Sequence, residues 1–167
     1  WVTALIAFGL LNNILVYSYM LKRNSRTNII LGGLCGGSPP MIGWVAVTTT
    51  DLWTMGLAMA GLVFIWIPMH IWALTLHFKE DYNKVNVPML TAVQSEKTSA
   101  RAIAGSTFVM VLFSIVPFFL TTNSGEPIVG SVYLWTAIVS GALMIILSAW
   151  VIAKPMEKAS WTLFKFS

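Results

Sequence analysis

The stretch Phe64-Ile65-Trp66-Ile67-Pro68-Met69-His70-Ile71-Trp72-Ala73-Leu74-Thr75-Leu76-His77-Phe78-Lys79-Glu80-Asp81-Tyr82-Asn83-Lys84 passes from unbroken apolar sequence into a charged run within a few residues. Apolar sequence also extends upstream of it to Leu52, and about 20 such residues suffice to cross a bilayer as a helix. The segment therefore reads as a transmembrane helix that ends in a polar mouth. Both histidines, and three of the six acidic residues (Glu80, Asp81 and Glu96), lie between this segment and the end of the loop that follows. Ionisable groups are costly near lipid, so a cluster of them at a helix mouth points to function.

Working outward, composition gives the same class. The 167 residues are 57% hydrophobic and only 10% charged, with a mean hydropathy of +0.78, whereas a soluble domain carries roughly a quarter charged residues. The expected fold is all-α, a polytopic transmembrane helix bundle, with residues 1–167 forming part of a single membrane domain. Five spans are expected: Trp1–Leu21, Ile29–Val47, Leu52–Leu76, Ala102–Leu120 and Val129–Ala153. The segments between them alternate in charge. Lys22, Arg23 and Arg26 follow the first span, Lys79, Lys84, Lys97 and Arg101 follow the third, and Lys154, Lys158 and Lys165 follow the fifth. The segments after the second and fourth spans carry only Asp51 and Glu126 as charges. All ten Lys and Arg residues thus fall on one side, which the positive-inside rule makes cytoplasmic, with Trp1 outside. Topology accounts for the net charge of +4, and no nucleic-acid partner is expected. The single Cys35 excludes a disulfide framework within the chain and reads as a small packing residue. Trp1 already lies in apolar sequence, and residues 161–167 begin another apolar segment. No charged leader or cleavage pattern is visible. The chain is therefore expected to be an internal piece of a longer membrane protein.

The second span contains Gly32-Gly33-Leu34-Cys35-Gly36-Gly37-Ser38-Pro39-Pro40, with four glycines and two prolines in nine residues. Small residues at a spacing of four let helix backbones approach closely. The same composition also makes a broken or thinned helix that leaves room for a bulky ligand, and irregular backbone at that depth is tolerated where it lines a cavity. The two readings are compatible.

On a helix, Trp66, His70 and His77 share one face, because seven residues make nearly two turns; a buried His70 bonded to a neighbouring helix and an interfacial anchor at His77 would give the same pattern. If the helix continues past Phe78, Asp81 lies one turn beyond His77 on the same stripe. The i, i+7 spacing is wide for two imidazoles on one ion, unlike the i, i+4 pairs of helical zinc sites. Glu80 and Asp81 are hard oxygen donors suited to Mg²⁺ together with substrate phosphates, and further carboxylates would have to come from outside this chain. Lys22, Arg23 and Arg26, with Lys79 and Lys84, carry the charge needed to neutralise a diphosphate, although ordinary positive-inside anchors would look the same. No Walker-type loop and no nucleophile–His–carboxylate arrangement is present in the sequence.

Several segments are familiar in combination: Tyr17-Ser18-Tyr19-Met20-Leu21-Lys22-Arg23, Asn28-Ile29-Ile30-Leu31-Gly32-Gly33, and Gly37-Ser38-Pro39-Pro40-Met41-Ile42-Gly43-Trp44. They are followed by Pro68-Met69-His70-Ile71-Trp72-Ala73-Leu74, Asp81-Tyr82 and Val87-Pro88-Met89-Leu90. In order and spacing they resemble the UbiA superfamily of membrane prenyltransferases, and within it the branch that prenylates heme. The resemblance covers most of residues 15–101, while the last two spans match in hydropathy alone. It implies a nine-span helical bundle of which this chain holds roughly the fourth to the eighth span. It also implies a reaction in which farnesyl diphosphate ionises and the farnesyl cation alkylates a vinyl group of heme B. Water then completes the hydroxyethylfarnesyl side chain of heme O.

The same resemblance implies Mg²⁺ as cofactor, farnesyl diphosphate, heme B and the lipid bilayer as partners, heme A synthase as a further one, and a prokaryotic cell membrane as the location. Asp81 and Lys84 are the implied catalytic residues, and Asp81 and Glu80 the implied metal ligands. Lys22, Arg23, Arg26, Asn28, His70, Trp72, His77, Lys79 and Tyr82 are the implied substrate contacts, with His70 either ligating heme iron or positioning a propionate. Trp66, Trp72, Tyr82 and Trp44 are candidates to stabilise a carbocation through their ring faces. The family's first polar motif, an Asn with spaced aspartates, would precede Trp1, so this piece alone is expected to be inactive. Two departures stand out. Val85-Asn86-Val87 occupies the place where the branch has a glycine, and Thr91 replaces a second proline after Pro88. Quinone-pathway members carry several spaced aspartates in the second motif where only Glu80-Asp81 stand here. A quinone-pathway prenyltransferase is the nearest alternative. A transporter with a broken second span, or a non-catalytic assembly subunit, lies further away.

Overall fold

The computed structural model describes residues 1–48, 53–122, 124–154 and 157–167. Five helical segments are long and apolar enough to cross a membrane: Val2–Leu21, Asn28–Val47, Trp53–His77, Glu96–Phe119 and Ser131–Ala153. They match the five expected spans in number and order. Asp51, expected in the segment after the second span, and Leu52, expected to begin the third, lie outside the described residues. Among the described residues the β content is one isolated bridge between Thr121 and Pro127.

The first span starts as α1 (Val2–Leu11) and continues as a ten-residue π-helix, Asn12–Leu21. π-Helical turns are rare and gather at functional sites. The second span is divided at Gly33 into α2 (Asn28–Gly32) and α3 (Leu34–Val47), and α3 runs through Pro39 and Pro40. Its glycines are packing positions. A Cβ on Gly32 would collide with the Tyr17 ring and one on Gly36 with Ile67, while one on Gly37 would lie 2.9 Å from the Ala60 carbonyl oxygen. The close-packing reading of this span therefore holds, and its helix is divided at Gly33.

The third span, α4 (Trp53–His77), is the hub, packing against α3, against α7 (Glu96–Phe113) and against α9 (Glu157–Phe166). The fifth span, α8 (Ser131–Ala153), packs on α7 and α9. Two short helices, α5 (Lys79–Lys84) and α6 (Leu90–Val93), fill the segment between the third and fourth spans. α7 begins at Glu96, upstream of the expected Ala102, because the Ser95 hydroxyl caps it by accepting the Thr98 N–H. Hydropathy could not reveal this, since the polar first turns belong to the helix but not to the apolar span. α9 is amphipathic in effect: Ala159, Ser160 and Leu163 are buried against α4 and α8, whereas Lys158 and Lys165 are exposed.

Candidate active site at the end of the third span

α4 ends at His77. Phe78, at φ −97° and ψ 30°, breaks the helix, and α5 restarts at Lys79. The stripe imagined from Trp66 to Asp81 is therefore interrupted, and the break splits the polar residues between two cavities. A mouth cavity of about 590 Å³ is lined by Leu76, His77, Phe78, Lys79, Glu80, Asp81, Asn83 and Glu96. An apolar cavity of about 280 Å³ lies on the other side of α5, with Tyr82 in its wall together with Tyr17, Cys35, Trp66, His70 and Met89. Asp81 and Tyr82 are consecutive, so one turn of helix serves both chambers.

The mouth is open and charged. Lys84 Nζ donates to Asp81 Oδ1 at 2.9 Å, with both side chains exposed. That hydrogen bond, followed by the Asp81 charge, pushes the Lys84 ammonium above its ordinary pKa. The stability linked to this shift is therefore present below the pKa of a free lysine and lost as pH rises through the raised folded value. Lys79 turns the other way, its Nζ donating to the Gln94 carbonyl at 2.9 Å and tying α5 to the end of α6. Glu96, in the first turn of α7, adds a third carboxylate to the same cavity as Glu80 and Asp81. Among the described residues no three His, Cys, Asp or Glu side chains stand close enough to hold a metal ion by themselves.

The apolar cavity is built differently. The π-helical turn presents Asn13 and Tyr17, and Gly32, Gly33 and Gly36 line the cavity from the second span without side chains. Cys35 lines it with its thiol donating to the Gly32 carbonyl at 2.8 Å. His70 is held between the rings of Trp66 (centroids 4.2 Å, planes 30°) and Phe164 (4.4 Å, 32°). Its Nδ1 lies 2.7 Å from the Ser167 hydroxyl, and the Trp66 indole N–H donates to the Ser167 carbonyl at 3.0 Å. Lower on the same face, His77 stacks on Trp161 at 4.5 Å and 16°. α9 thus covers both histidines with aromatic rings.

The remaining expected site residues are placed elsewhere. Lys22, Arg23 and Arg26 are exposed on the connection between the first two spans and line neither cavity. Asn28 is fully buried; its amide Nδ2 donates to the Lys22 carbonyl at 3.2 Å, and its Oδ1 has no hydrogen-bond partner. Trp72 sits in the core with its indole nitrogen also unpartnered. Trp44 packs towards Gly56. Sequence reasoning missed Asn13, Tyr17, Cys35 and Met89 as cavity lining. Tyr17 and Gly32 were both within segments noted for their order, but only their contact across the fold makes a wall.

Both sequence departures acquire a physical reason. Asn86 adopts φ +54°, the left-handed region that glycine favours and asparagine tolerates best among other residues. Thr91 is fully buried and shares a hydrogen bond with the Thr75 hydroxyl, which fastens α6 to α4.

The chain has relatives among known proteins. It is 74% identical over 167 residues to the protoheme IX farnesyltransferase 2 of Cenarchaeum symbiosum, covering 100% of this chain and 54% of that relative. It is 38% identical over 162 residues to the protoheme IX farnesyltransferase of Thermoplasma volcanium (97% and 54% covered). It is 39% identical over 167 residues to that of Desulforudis audaxviator (100% and 50% covered). The chain spans about half the length of the curated relatives it matches. No solved structure matches it. The UbiA prenyltransferase family model matches residues 1–167, and the chain belongs to that family.

Proposed function

We propose that the full-length protein transfers a farnesyl group from farnesyl diphosphate to a vinyl group of heme B, giving heme O, with its mouth on the cytoplasmic face of a prokaryotic membrane and heme A synthase as the next partner. The observation that carries this reading is the division made by α5. Charged side chains line one chamber around Asp81, and aromatic, apolar surface lines the next at Tyr82. An allylic diphosphate has the same two-part character. The name borne by the 74%-identical relative supports heme as the acceptor.

The chemistry follows from the two environments. Ionisation of an allylic diphosphate builds negative charge on the leaving group, and preorganised charges at the mouth stabilise it. Lys84, beside Asp81, and Lys79 would supply such charge, and Glu80 and Asp81 would hold Mg²⁺ jointly with diphosphate oxygens, since that ion is usually bound through one or two carboxylates plus phosphates. Bound in this way, Mg²⁺ supplies charge neutralisation to the leaving diphosphate. Tyr82, Trp66 and Tyr17 then surround the allylic cation with ring faces and exclude bulk water. Ligand cavities commonly measure about 300–1,000 Å³, so the apolar chamber of about 280 Å³ encloses one part of what a prenyl chain and a macrocycle together fill.

The test is product identification. Membranes holding the full-length protein, supplied with heme B, farnesyl diphosphate and Mg²⁺, are expected to yield a farnesylated, hydroxylated heme by mass spectrometry, and a chelator is expected to stop its formation. Prenylation of a phenolic quinone precursor with heme left unchanged would overturn the heme assignment.

A further inference from the structure

A pair of part-buried hydrogen bonds orients a cavity side chain. The Ser167 oxygen lies 2.8 Å from the Phe164 carbonyl and 2.7 Å from His70 Nδ1. When its single proton goes to the carbonyl, the same oxygen accepts from His70 Nδ1–H. In that arrangement Nε2 of neutral His70 carries the lone pair. The Trp66 indole bonds the carbonyl of the same serine, so imidazole and orienting residue are held as a unit.

This nitrogen is unusual in its surroundings. The other polar groups that line the apolar cavity are the Asn13 amide, the Tyr17 and Tyr82 phenols and the Cys35 thiol, none of which offers a basic nitrogen. The carboxylates Glu80, Asp81 and Glu96 line the mouth cavity instead. Among the described residues lining the apolar cavity, His70 is the one with an available basic site. The Trp66 and Phe164 rings stack on the imidazole and hold its orientation.

We propose that His70 is the general base for the step that completes the product, accepting through Nε2 the proton of the water that adds to the alkylated vinyl group; this rests on the farnesyl-transfer reading above. The farnesyl C1–O bond breaks with its electron pair leaving on diphosphate. The vinyl π pair then bonds C1, which leaves positive charge on the vinyl carbon next to the macrocycle. A lone pair of water forms the C–O bond, an O–H bond breaks with its electrons kept on oxygen, and the proton passes to His70 Nε2 and afterwards to solvent. Heme B, farnesyl diphosphate and water thus give the hydroxyethylfarnesyl heme, diphosphate and one proton. Ser167 is a positioning residue, acting through the tautomer of His70.

The experiment uses the full-length protein in membranes with heme B and farnesyl diphosphate in ¹⁸O-labelled water. Released diphosphate and ¹⁸O-hydroxylated heme are quantified in the same samples, so that folding and ionisation are read independently of hydration. For His70→Gln the ratio of hydroxylated heme to diphosphate is expected to fall roughly 10²-fold, the scale of general-base catalysis, with farnesol or a dehydrated farnesyl heme in its place. Ser167→Ala is expected to give an intermediate ratio, and added imidazole to raise the ratio in His70→Ala. An unchanged ratio in His70→Gln overturns the inference. So does a parallel loss of diphosphate release and product in His70→Ala that imidazole does not relieve, since that marks a structural or binding role. A wild-type protein that makes no farnesylated heme overturns the farnesyl-transfer reading itself, whereas an active wild type with an unchanged ratio overturns the role of His70 alone.

Discussion

The two chambers beside α5 are made of opposite materials. The mouth owes its character to what is present: charged side chains on a short, exposed helix, with Asp81 and Lys84 paired in reach of solvent. The apolar chamber owes its character to what is missing, namely side chains at Gly32, Gly33 and Gly36, which lets the Tyr17 ring and Ile67 close in on the backbone. A polar mouth tolerates rearrangement because water replaces any lost contact. A packed cavity does not, because interiors resist added volume. Substitutions should therefore act on chemistry alone at the mouth, and on shape and stability together in the cavity.

The sharpest way to break that contrast is at Asp81. Asp81→Asn keeps the shape and removes the charge, and is expected to lower farnesyl transfer by roughly 10²–10³-fold, as for loss of one electrostatic stabiliser, with the thermal midpoint unchanged. A large loss of stability would show that Asp81 serves the fold. Next comes Gly36→Val, which places a Cβ against Ile67. Overpacking of this kind costs about 1–3 kcal/mol, and turnover should fall along with the midpoint in a thermal scan of the detergent-solubilised protein. Wild-type behaviour in both would mean that the chamber is looser than its glycines imply.

Trp161→Leu probes the cover over the histidines. It removes the stacks on His77 and Phe164, each worth about 0.5–1.5 kcal/mol, and should increase hydrogen exchange in α9 without altering α7. The smallest effect is expected at Lys84. Because its ammonium is exposed and its pKa lies above the ordinary value, Lys84→Met should leave stability unchanged and raise KM for farnesyl diphosphate, with the difference from wild type constant across neutral pH. A difference that appears only between pH 6 and 8 would assign the effect to another group.

The spans were legible because their lengths and the one-sided placement of Lys and Arg follow from the bilayer itself. The shared face of Trp66, His70 and His77 was legible for the same reason, being simple helical periodicity. The helix break at Phe78 was not, since Phe78-Lys79-Glu80 carries no proline or glycine to mark it. The π-helical stretch at Asn12–Leu21 was hidden too, because its residues suit an α-helix equally well. The Ser167 hydroxyl beside His70 depends on a contact across 97 positions of sequence, and local pattern cannot supply that. The motif residues Lys22, Arg23 and Arg26 were legible as charges. Their distance from both chambers appears only in the fold.

The division of labour between the chambers can be tested directly with a farnesyl diphosphate analogue that carries a photoreactive group near the prenyl terminus, crosslinked to the full-length protein and mapped by peptide mass spectrometry. Labelling is expected within residues 13–36 and 66–89, the walls of the apolar chamber. A label concentrated instead on Leu62, Met110, Ser140 or Met144, which line a separate cavity between α4, α7 and α8, would contradict the placement of the prenyl group.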